Sequence, residues 1–226
     1  MEKTNIVYNM DCMIGMNEYP DKYFDLAIVD PVYGGVTKGG YMNDDRDGKV
    51  IGTGKAKQKG YHNGLWQQKK TDASYFKELF RVSKNQIVWG GNYFANNLPE
   101  SQCWIVWDKK HPEGIKFADG ELAWTSFNSS LRIFRFLWNG MLQEHMGKDK
   151  EKRIHPTQKP VALYEWILRN YAKEGDKILD THVGSGSSRI ACAKLGFDFI
   201  GYEIDKKYFE DQEKRFKEEE YKIPLF

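Results

Sequence analysis

The chain has 226 residues, of which 40% are hydrophobic and 29% charged, a balance typical of a soluble globular protein with one sizeable domain. Its net charge is only +2, so the overall charge does not itself indicate a nucleic-acid partner. The N-terminus lacks the apolar stretch of a signal peptide, and no apolar run approaches the ~18 residues of a membrane span. Three widely spaced cysteines disfavour a disulfide framework or a metal site and suit a reducing cytoplasm.

The N-terminal part predicts one buried strand followed by a long irregular segment. FDLAIVD, from Phe24 to Asp30, is a short apolar run bounded by turn-forming residues. Residues 34–72 show no periodicity and are rich in glycine, lysine and aspartate, which is typical of a functional or mobile loop. Aromatic residues make up 15% of the chain, and we expect most of these rings to be core.

The middle of the chain predicts one helix and two strands before the pattern becomes irregular. Apolar residues at helical spacing follow Thr71 and Asp72, either of which could cap the helix. QIVWGG and then CWIVWD, which ends at Asp108, read as buried strands. From Lys109 to Arg153 basic and aromatic residues alternate without a regular period.

The C-terminal third predicts alternating helices and strands. HPTQKP leads into a helix of about fifteen residues that ends at Gly175. The strand KILD, the turn THVGSGSS, a helix that ends at Gly196, the strand FDFIGYEID and a charged helix follow in order. This alternation predicts an α/β fold with a parallel sheet and crossover helices.

Acids stand at the ends of the first predicted strand and of the two C-terminal ones, namely Asp30, Asp180 and Glu203. In a parallel sheet the carboxyl ends of the strands form the ligand-binding edge. The GSG turn lets a ligand approach the backbone before a helix, and an acid about twenty residues later suits ribose hydroxyls. Because the third glycine of a dinucleotide fingerprint is missing, another adenosine-containing cofactor is favoured.

These residues carry a resemblance to a known family. DPVY, starting at Asp30, resembles the DPPY motif of S-adenosylmethionine-dependent DNA amino-methyltransferases. LDTHVGSGSSRIACAKLGFDFIGYEID is similar to their cofactor-binding block, and RIHPTQKP is similar to the block before it. The motif order matches the β-class, whose members methylate adenine N6 or cytosine N4. The small size and the SGSS variant resemble bacteriophage members.

The resemblance implies a Rossmann-like, doubly wound, mostly parallel sheet of seven strands, circularly permuted and with an inserted target-recognition region. Residues 1–98 are then the catalytic half of the methyltransferase domain, with a mobile loop at 34–72. Residues 99–154 are the target-recognition region, and residues 155–226 are the cofactor-binding half. Its implied partner is double-stranded DNA in a bacterial cytoplasm, with the chain a monomer or a homodimer.

The resemblance also implies the roles of individual residues. The Asp30 carboxylate and the Pro31 carbonyl accept hydrogen bonds from the target amine, and Tyr33 stacks on the extruded base. The implied cofactor-binding residues are Asp11 and Cys12 at the adenine, Thr157 and Lys159 at the methionine carboxylate, Asp180 at the methionine end, Gly184, Ser185, Gly186 and Ser187 beneath the ligand, and Glu203 at the ribose. For His155 we favour a capping or core role.

DNA contacts are expected from the weakly matched middle of the chain. The predicted DNA-binding residues are Lys55, Lys57, Lys59, Lys69 and Lys70 in the loop, and Lys109, Arg132 and Arg135 among the aromatic residues. Val32 replaces the second proline of DPPY, and Thr181 and His182 depart from the family pattern. Adenine N6 is the favoured target because Asp30 heads the motif. Cytosine N4, or a binding protein that has lost turnover, remains as an alternative.

Overall fold

The computed structural model describes residues 4–34, 70–111, 118–139 and 142–220 of the chain. The predicted DNA contacts Lys55, Lys57, Lys59 and Lys69, with most of the predicted loop, lie outside the described residues. Within the described ranges, no helix combines the length and the apolar character needed to cross a membrane.

Eight strands from the described part of the chain form one sheet, in the order β1-β10-β9-β2-β3-β5-β4-β6. They are β1 Asn5–Tyr8, β2 Phe24–Val29, β3 Ser83–Trp89, β4 Trp104–Asp108, β5 Gly120–Thr125, β6 Arg132–Arg135, β9 Lys177–Asp180 and β10 Asp198–Tyr202. Strand β5 is antiparallel to β3 and to β4, and the other pairs are parallel. The predicted mostly parallel α/β fold is confirmed, with eight described strands where the resemblance implied seven.

The helices are α1 Cys12–Asn17, α2 Ala73–Val82, α3 Val161–Tyr171, α4 Ser187–Leu195 and α5 Lys206–Glu220. Of the two predicted caps for α2, the structure selects Asp72, whose side chain accepts from the Ser74 N–H. Helix α3 is shorter than predicted, because Ala172 is already extended and the Lys173 N–H bonds to the Asp176 carboxylate. Gly175, with φ +85°, lies in this turn and not at the end of the helix.

Residues 109–153, predicted to be irregular, contain β5, β6 and two short strands, β7 Trp138–Asn139 and β8 Leu142–Gln143. Strand β5 lies between β3 and β4 and pairs with both, so its conformation depends on partners distant in sequence. The range 99–154 therefore extends the main sheet, and its role in target recognition remains a prediction.

Apolar side chains cover both faces of the sheet and alternate along β2. Leu26 and Ile28 point into the cluster that contains α3 and α4, whereas Ala27 and Val29 point into the cluster with α1 and α2. The C-terminal strands β10 and β9 lie between the N-terminal strands β1 and β2. The chain leaves β9 towards β10 and leaves β2 towards β3, so their carboxyl ends mark a topological switch point.

Candidate active site

A cavity of about 590 Å³ opens at the carboxyl ends of β2, β9 and β10. It brings together residues from three distant parts of the sequence. The predicted site residues that line it are Asp11, Cys12, Asp30, Pro31, Tyr33, Thr157, Lys159, Gly184, Ser185 and Glu203. Three others, Asp180, Gly186 and Ser187, lie behind this lining.

The glycine turn after β9 gives the cavity its floor. Gly184 and Gly186 have φ values of +53° and +76°, which a residue with a side chain adopts only with strain. The buried guanidinium of Arg215 donates to the Ser185 carbonyl at 2.8 Å and to the Ser187 hydroxyl at 2.9 Å. Arg215 therefore holds the turn by hydrogen bonds, and Gly184 and Ser185 line the cavity.

Glu203 closes the turn from the end of β10. Its Oε2 accepts the Gly184 N–H at 2.8 Å, and its Oε1 accepts the Asp205 N–H at 2.8 Å. Burial raises the pKa of Glu203 to about 7, although the two N–H donors favour the carboxylate. The residue is 8% exposed and lines the cavity, so a carboxyl group with a raised pKa borders the site.

Asp180 supports the turn from beneath. Its Oδ1 accepts the His182 N–H at 2.9 Å, and its Oδ2 accepts the Ser188 hydroxyl at 2.5 Å. Burial raises the pKa of Asp180 to about 6. Thr181 and His182, which depart from the family pattern, bond to each other at 2.8 Å, and the Thr181 hydroxyl meets the Tyr75 hydroxyl at 2.6 Å. The two residues that depart from the family pattern therefore form hydrogen bonds with each other and with Tyr75 of α2.

Asp30, at the end of β2, has one paired and one unpaired carboxylate oxygen. Its Oδ2 contacts Lys159 Nζ at 2.5 Å, whereas its Oδ1 is buried without a hydrogen-bond partner among the described residues. Burial raises the pKa of Asp30, and the Lys159 ammonium opposes this shift. An acceptor of this kind is left for a donor that enters the cavity.

Lys159 was predicted to hold a methionine carboxylate, but here its ammonium lies between two protein carboxylates. It contacts Asp30 at 2.5 Å and Glu121 at 3.2 Å, and only 3% of the residue is exposed. Burial would lower the pKa of Lys159, but Asp30 and Glu121 raise it above its ordinary value. The sequence analysis missed Glu121, whose one available signal was a carboxylate beginning the apolar run ELAWT.

Tyr33 is stacked on a second ring that the sequence analysis also missed. The centroids of the Tyr33 and Tyr93 rings are 4.5 Å apart, and the ring planes differ by 7°. Gly90, with φ +67°, permits this approach, because a Cβ there would lie 2.8 Å from the Tyr33 ring. Between Pro31 and Tyr33, the Val32 carbonyl accepts the Thr71 N–H at 2.8 Å, which ties the backbone where the family has a second proline.

The remaining predicted ligand contacts lie on both sides of the glycine turn. Asp11 caps α1 by accepting the Met13 N–H, and burial raises the pKa of the adjacent Cys12 thiol to about 12, so it stays neutral. The Thr157 N–H donates to His155 Nδ1 at 3.3 Å, and burial lowers the pKa of His155 to about 3. His155 is buried and lies before α3, whose N-cap is Pro160, so of the capping and core roles favoured from sequence its position fits the core role.

Four predicted DNA contacts fall within the described residues and are not equivalent. Lys70 donates to the Tyr93 carbonyl at 2.7 Å and lines the cavity. Lys109 is paired with Glu121 at 2.6 Å. Arg132 and Arg135 both lie on β6, and Arg132 is exposed. Arg135 lies 3.4 Å from Asp108 of the neighbouring strand β4, with 61% of its side chain exposed. The structure therefore leaves the two arginines on the surface near the sheet edge.

Relatives of this chain are DNA methyltransferases. A family model described as N6_N4_Mtase, DNA methylase, matches residues 55–214. The type II methyltransferase M2.DpnII of Streptococcus pneumoniae is 33% identical over 148 residues, which cover 63% of this chain and 54% of that protein. The chain spans about half the length of several of the curated relatives it matches.

Two solved structures have a similar fold at low sequence identity. The M1.HpyAVI–SAM complex aligns with a TM-score of 0.55 at 20% identity, covering 92% of this chain and 98% of that one. The cytosine-N4-specific PvuII DNA methyltransferase aligns with a TM-score of 0.60 at 13% identity, covering 96% and 87%. Because the family model matches well over half of the chain, the chain belongs to the N6_N4_Mtase family of DNA methylases.

Proposed function

We propose that this protein transfers a methyl group from S-adenosylmethionine to the N6 amine of an adenine in double-stranded DNA. The observation that carries the proposal is the unpaired Oδ1 of Asp30, a buried acceptor of a residue that lines the cavity, with no partner among the described residues. A buried acceptor that lacks a donor is unfavourable unless a ligand supplies one.

The exocyclic amine of a base is a poor nucleophile because its lone pair is conjugated with the ring. Hydrogen bonds from the amine to the Asp30 carboxylate and the Pro31 carbonyl pull electron density towards nitrogen and stabilise the positive charge that develops. Asp30 does not deprotonate the neutral amine beforehand, because a carboxylate is far too weak a base. The side chain acts as an oriented acceptor while the nitrogen–carbon bond forms and the methyl–sulfur bond of the donor breaks. The cationic amine then gives its proton to the Asp30 carboxylate, which passes it to solvent.

The residues of the cavity fit S-adenosylmethionine, which supplies an electrophilic methyl group when bound. The Glu203 carboxylate faces the cavity where ribose hydroxyls could donate to it. The positive-φ glycines of the turn carry no side chains, so the backbone beside the N-terminus of α4 can approach a ligand closely. Thr157 lines the same cavity, and its hydroxyl, which lies 3.0 Å from His155 Nδ1, reaches a ligand carboxylate only by leaving that contact. Lys159 reaches one only if it shares its ammonium with Asp30.

The target base must leave the duplex to reach Asp30, and Tyr33 is placed to stack on it. The ring pair of Tyr33 and Tyr93 offers a preformed aromatic platform. Arg132 and Arg135 on β6, with the lysines of the 34–72 loop, are proposed to contact DNA. The bacterial relatives support action on bacterial DNA in the cytoplasm.

Adenine is proposed over cytosine because Asp30 heads the motif, where cytosine-N4 enzymes of this class more often have serine. Incubation with duplex DNA and S-adenosylmethionine bearing a deuterated methyl group, followed by nucleoside mass spectrometry, tests this. We expect labelled N6-methyldeoxyadenosine. Labelled N4-methyldeoxycytidine would correct the base but keep the reaction. Cofactor binding without any labelled nucleoside would instead favour an impaired binding protein.

A further inference from the structure

A row of alternating charges extends from Asp30 into the sheet. Lys159 Nζ lies 2.5 Å from Asp30 Oδ2 and 3.2 Å from Glu121 Oε2. The second oxygen of Glu121 lies 2.6 Å from Lys109 Nζ. The charges of Asp30, Lys159, Glu121 and Lys109 therefore alternate in sign along the row. Asp30 is at the cavity end of this row, and its Oδ1 is unpaired among the described residues.

The Lys159 ammonium is buried too deeply to be balanced by water. Its Nζ lies 5.3 Å from the centroid of the Trp89 ring, and only 2% of the side chain is exposed. A buried charge requires compensation from protein groups, and an ammonium has three donors to satisfy. Although burial acts to raise the pKa of Glu121, Lys159 and Lys109 lower it to about 2. Glu121 is therefore ionised at any physiological pH.

Sharing the ammonium determines how strongly Asp30 can accept from a substrate. If Lys159 had Asp30 as its sole partner, its full attraction would fall on that carboxylate and weaken it as an acceptor for an amine. Glu121 contacts the same ammonium from β5 at 3.2 Å, so the attraction of Lys159 is divided between two carboxylates, and Asp30 Oδ1 has no hydrogen-bond partner among the described residues. Lys109 in turn holds Glu121 from the far side.

We propose that Glu121 is a positioning residue for methyl transfer, which shares the Lys159 ammonium with Asp30 and so leaves the Asp30 carboxylate a strong acceptor for the substrate amine. This inference rests on the proposed function. It assigns a role in the chemistry to a residue that the sequence placed in the target-recognition region.

The proposal predicts that neutralising Glu121 and neutralising Lys109 shift the pKa of Asp30 in opposite directions. The groups that act on Asp30 come from several elements and are Lys159, Glu121 and Lys109, together with Tyr75 on α2, Tyr164 on α3 and Asp180 on β9. Removal of the Glu121 charge leaves two ammonium groups and lowers the pKa of Asp30. Removal of the Lys109 charge raises it. The acid limb of the rate profile should therefore move in opposite directions.

The test is the single-turnover rate of methyl transfer against pH, at saturating DNA and S-adenosylmethionine, for wild type, Glu121→Gln and Lys109→Gln. Glu121→Gln should lower the plateau rate about tenfold or more and shift the acid limb to lower pH, with cofactor affinity within about threefold. Lys109→Gln should shift the limb to higher pH. Glu165→Gln is the matched control, because Glu165 is a half-buried glutamate that is paired with Lys194 and does not line the cavity.

A plateau rate for Glu121→Gln within about twofold of wild type, with an unmoved acid limb, would overturn the proposal. Shifts of both variants in the same direction would also overturn it. If thermal melting shows that Glu121→Gln does not fold, the test rests on Lys109→Gln. An acid limb of its pH–rate profile that matches the wild type would then overturn the proposal. Wild-type protein that transfers no methyl group would instead defeat the proposed function itself, which these variants do not address.

Discussion

Asp30 illustrates how a single residue combines burial with chemistry. An ionised carboxylate in an apolar site is costly, and Lys159 offsets that cost on one oxygen only. The other oxygen stays available to a ligand. The same logic applies at Glu203, whose two oxygens accept backbone N–H groups on one side while the side chain borders the cavity on the other.

We predict that S-adenosylmethionine affinity depends on pH through Glu203. Ribose hydroxyls donate to the carboxylate, so binding favours the ionised form. Because the pKa of Glu203 is raised to about 7 in the free protein, affinity should be constant above that pH and should weaken up to about tenfold per unit below it. Calorimetry from pH 8 to pH 5.5 measures this.

Glu203→Gln is the control, because it removes the titrating group and should give a weaker but flatter profile. It also separates Glu203 from Asp180, whose pKa of about 6 lies nearby. An unchanged affinity across this range in the wild type would contradict the ribose assignment.

We predict that Tyr93 contributes to binding of the target base and does not contribute to binding of the cofactor. Its ring backs Tyr33, and aromatic pairs contribute about 0.5–1.5 kcal/mol beyond their burial. We expect Tyr93→Ala to reduce kcat/KM for DNA roughly two- to tenfold and to leave S-adenosylmethionine affinity unchanged. Tyr93→Phe preserves the stack and should match the wild type. Equal losses in both variants would point to the hydroxyl group and not to stacking.

At the scale of elements, helix α5 holds the glycine turn through Arg215. The guanidinium bonds to Ser185 and Ser187 and pairs with Glu151 at 2.7 Å. A second oxygen of Glu151 accepts the N–H of Val161, the first residue of α3. One buried ion pair thus connects the turn, α3 and the segment before it.

Arg215→Met should lower the free energy of unfolding by about 3–5 kcal/mol, because it leaves the mostly buried Glu151 carboxylate without its partner. Urea denaturation measures the change. Adding Glu151→Gln to this variant should recover part of the loss, since the unpaired charge is removed. Lys207→Ala, which breaks an exposed pair with Asp211 on the same helix, should cost less than about 1 kcal/mol. A loss for Arg215→Met no larger than that of Lys207→Ala would show that the pair is not structural.

The elements that could be predicted from sequence are those with local signals. Strand β9, the glycine turn, α4 and β10 follow from an apolar run, positive-φ glycines and helical spacing within one short segment. Strand β5 could not be predicted, because it is a strand through its pairing with β3 and β4. Glu121 was missed for the same reason, since its proximity to Lys159 arises from the arrangement of the sheet.

At the scale of the whole molecule, the sheet order explains how distant segments share one site. Strands β9 and β10 lie between β1 and β2, so Asp30 and Glu203 border one cavity although they are far apart in sequence. The position of these acids at the ends of predicted strands was the signal in the sequence that they border the same cavity. The direction of Lys159 could not be predicted, because the charges that attract it come from two different strands of the folded sheet.

The central claim is that Asp30 activates the substrate amine, whereas other residues of the cavity bind the cofactor. The most direct measurement compares single-turnover methyl transfer to duplex DNA by wild type and Asp30→Asn, with S-adenosylmethionine affinity measured on the same samples. We predict that Asp30→Asn loses roughly 10²-fold or more in rate, as expected for a lost electrostatic contact in the transition state, while affinity stays within a few-fold. Transfer by Asp30→Asn at the wild-type rate would contradict the account.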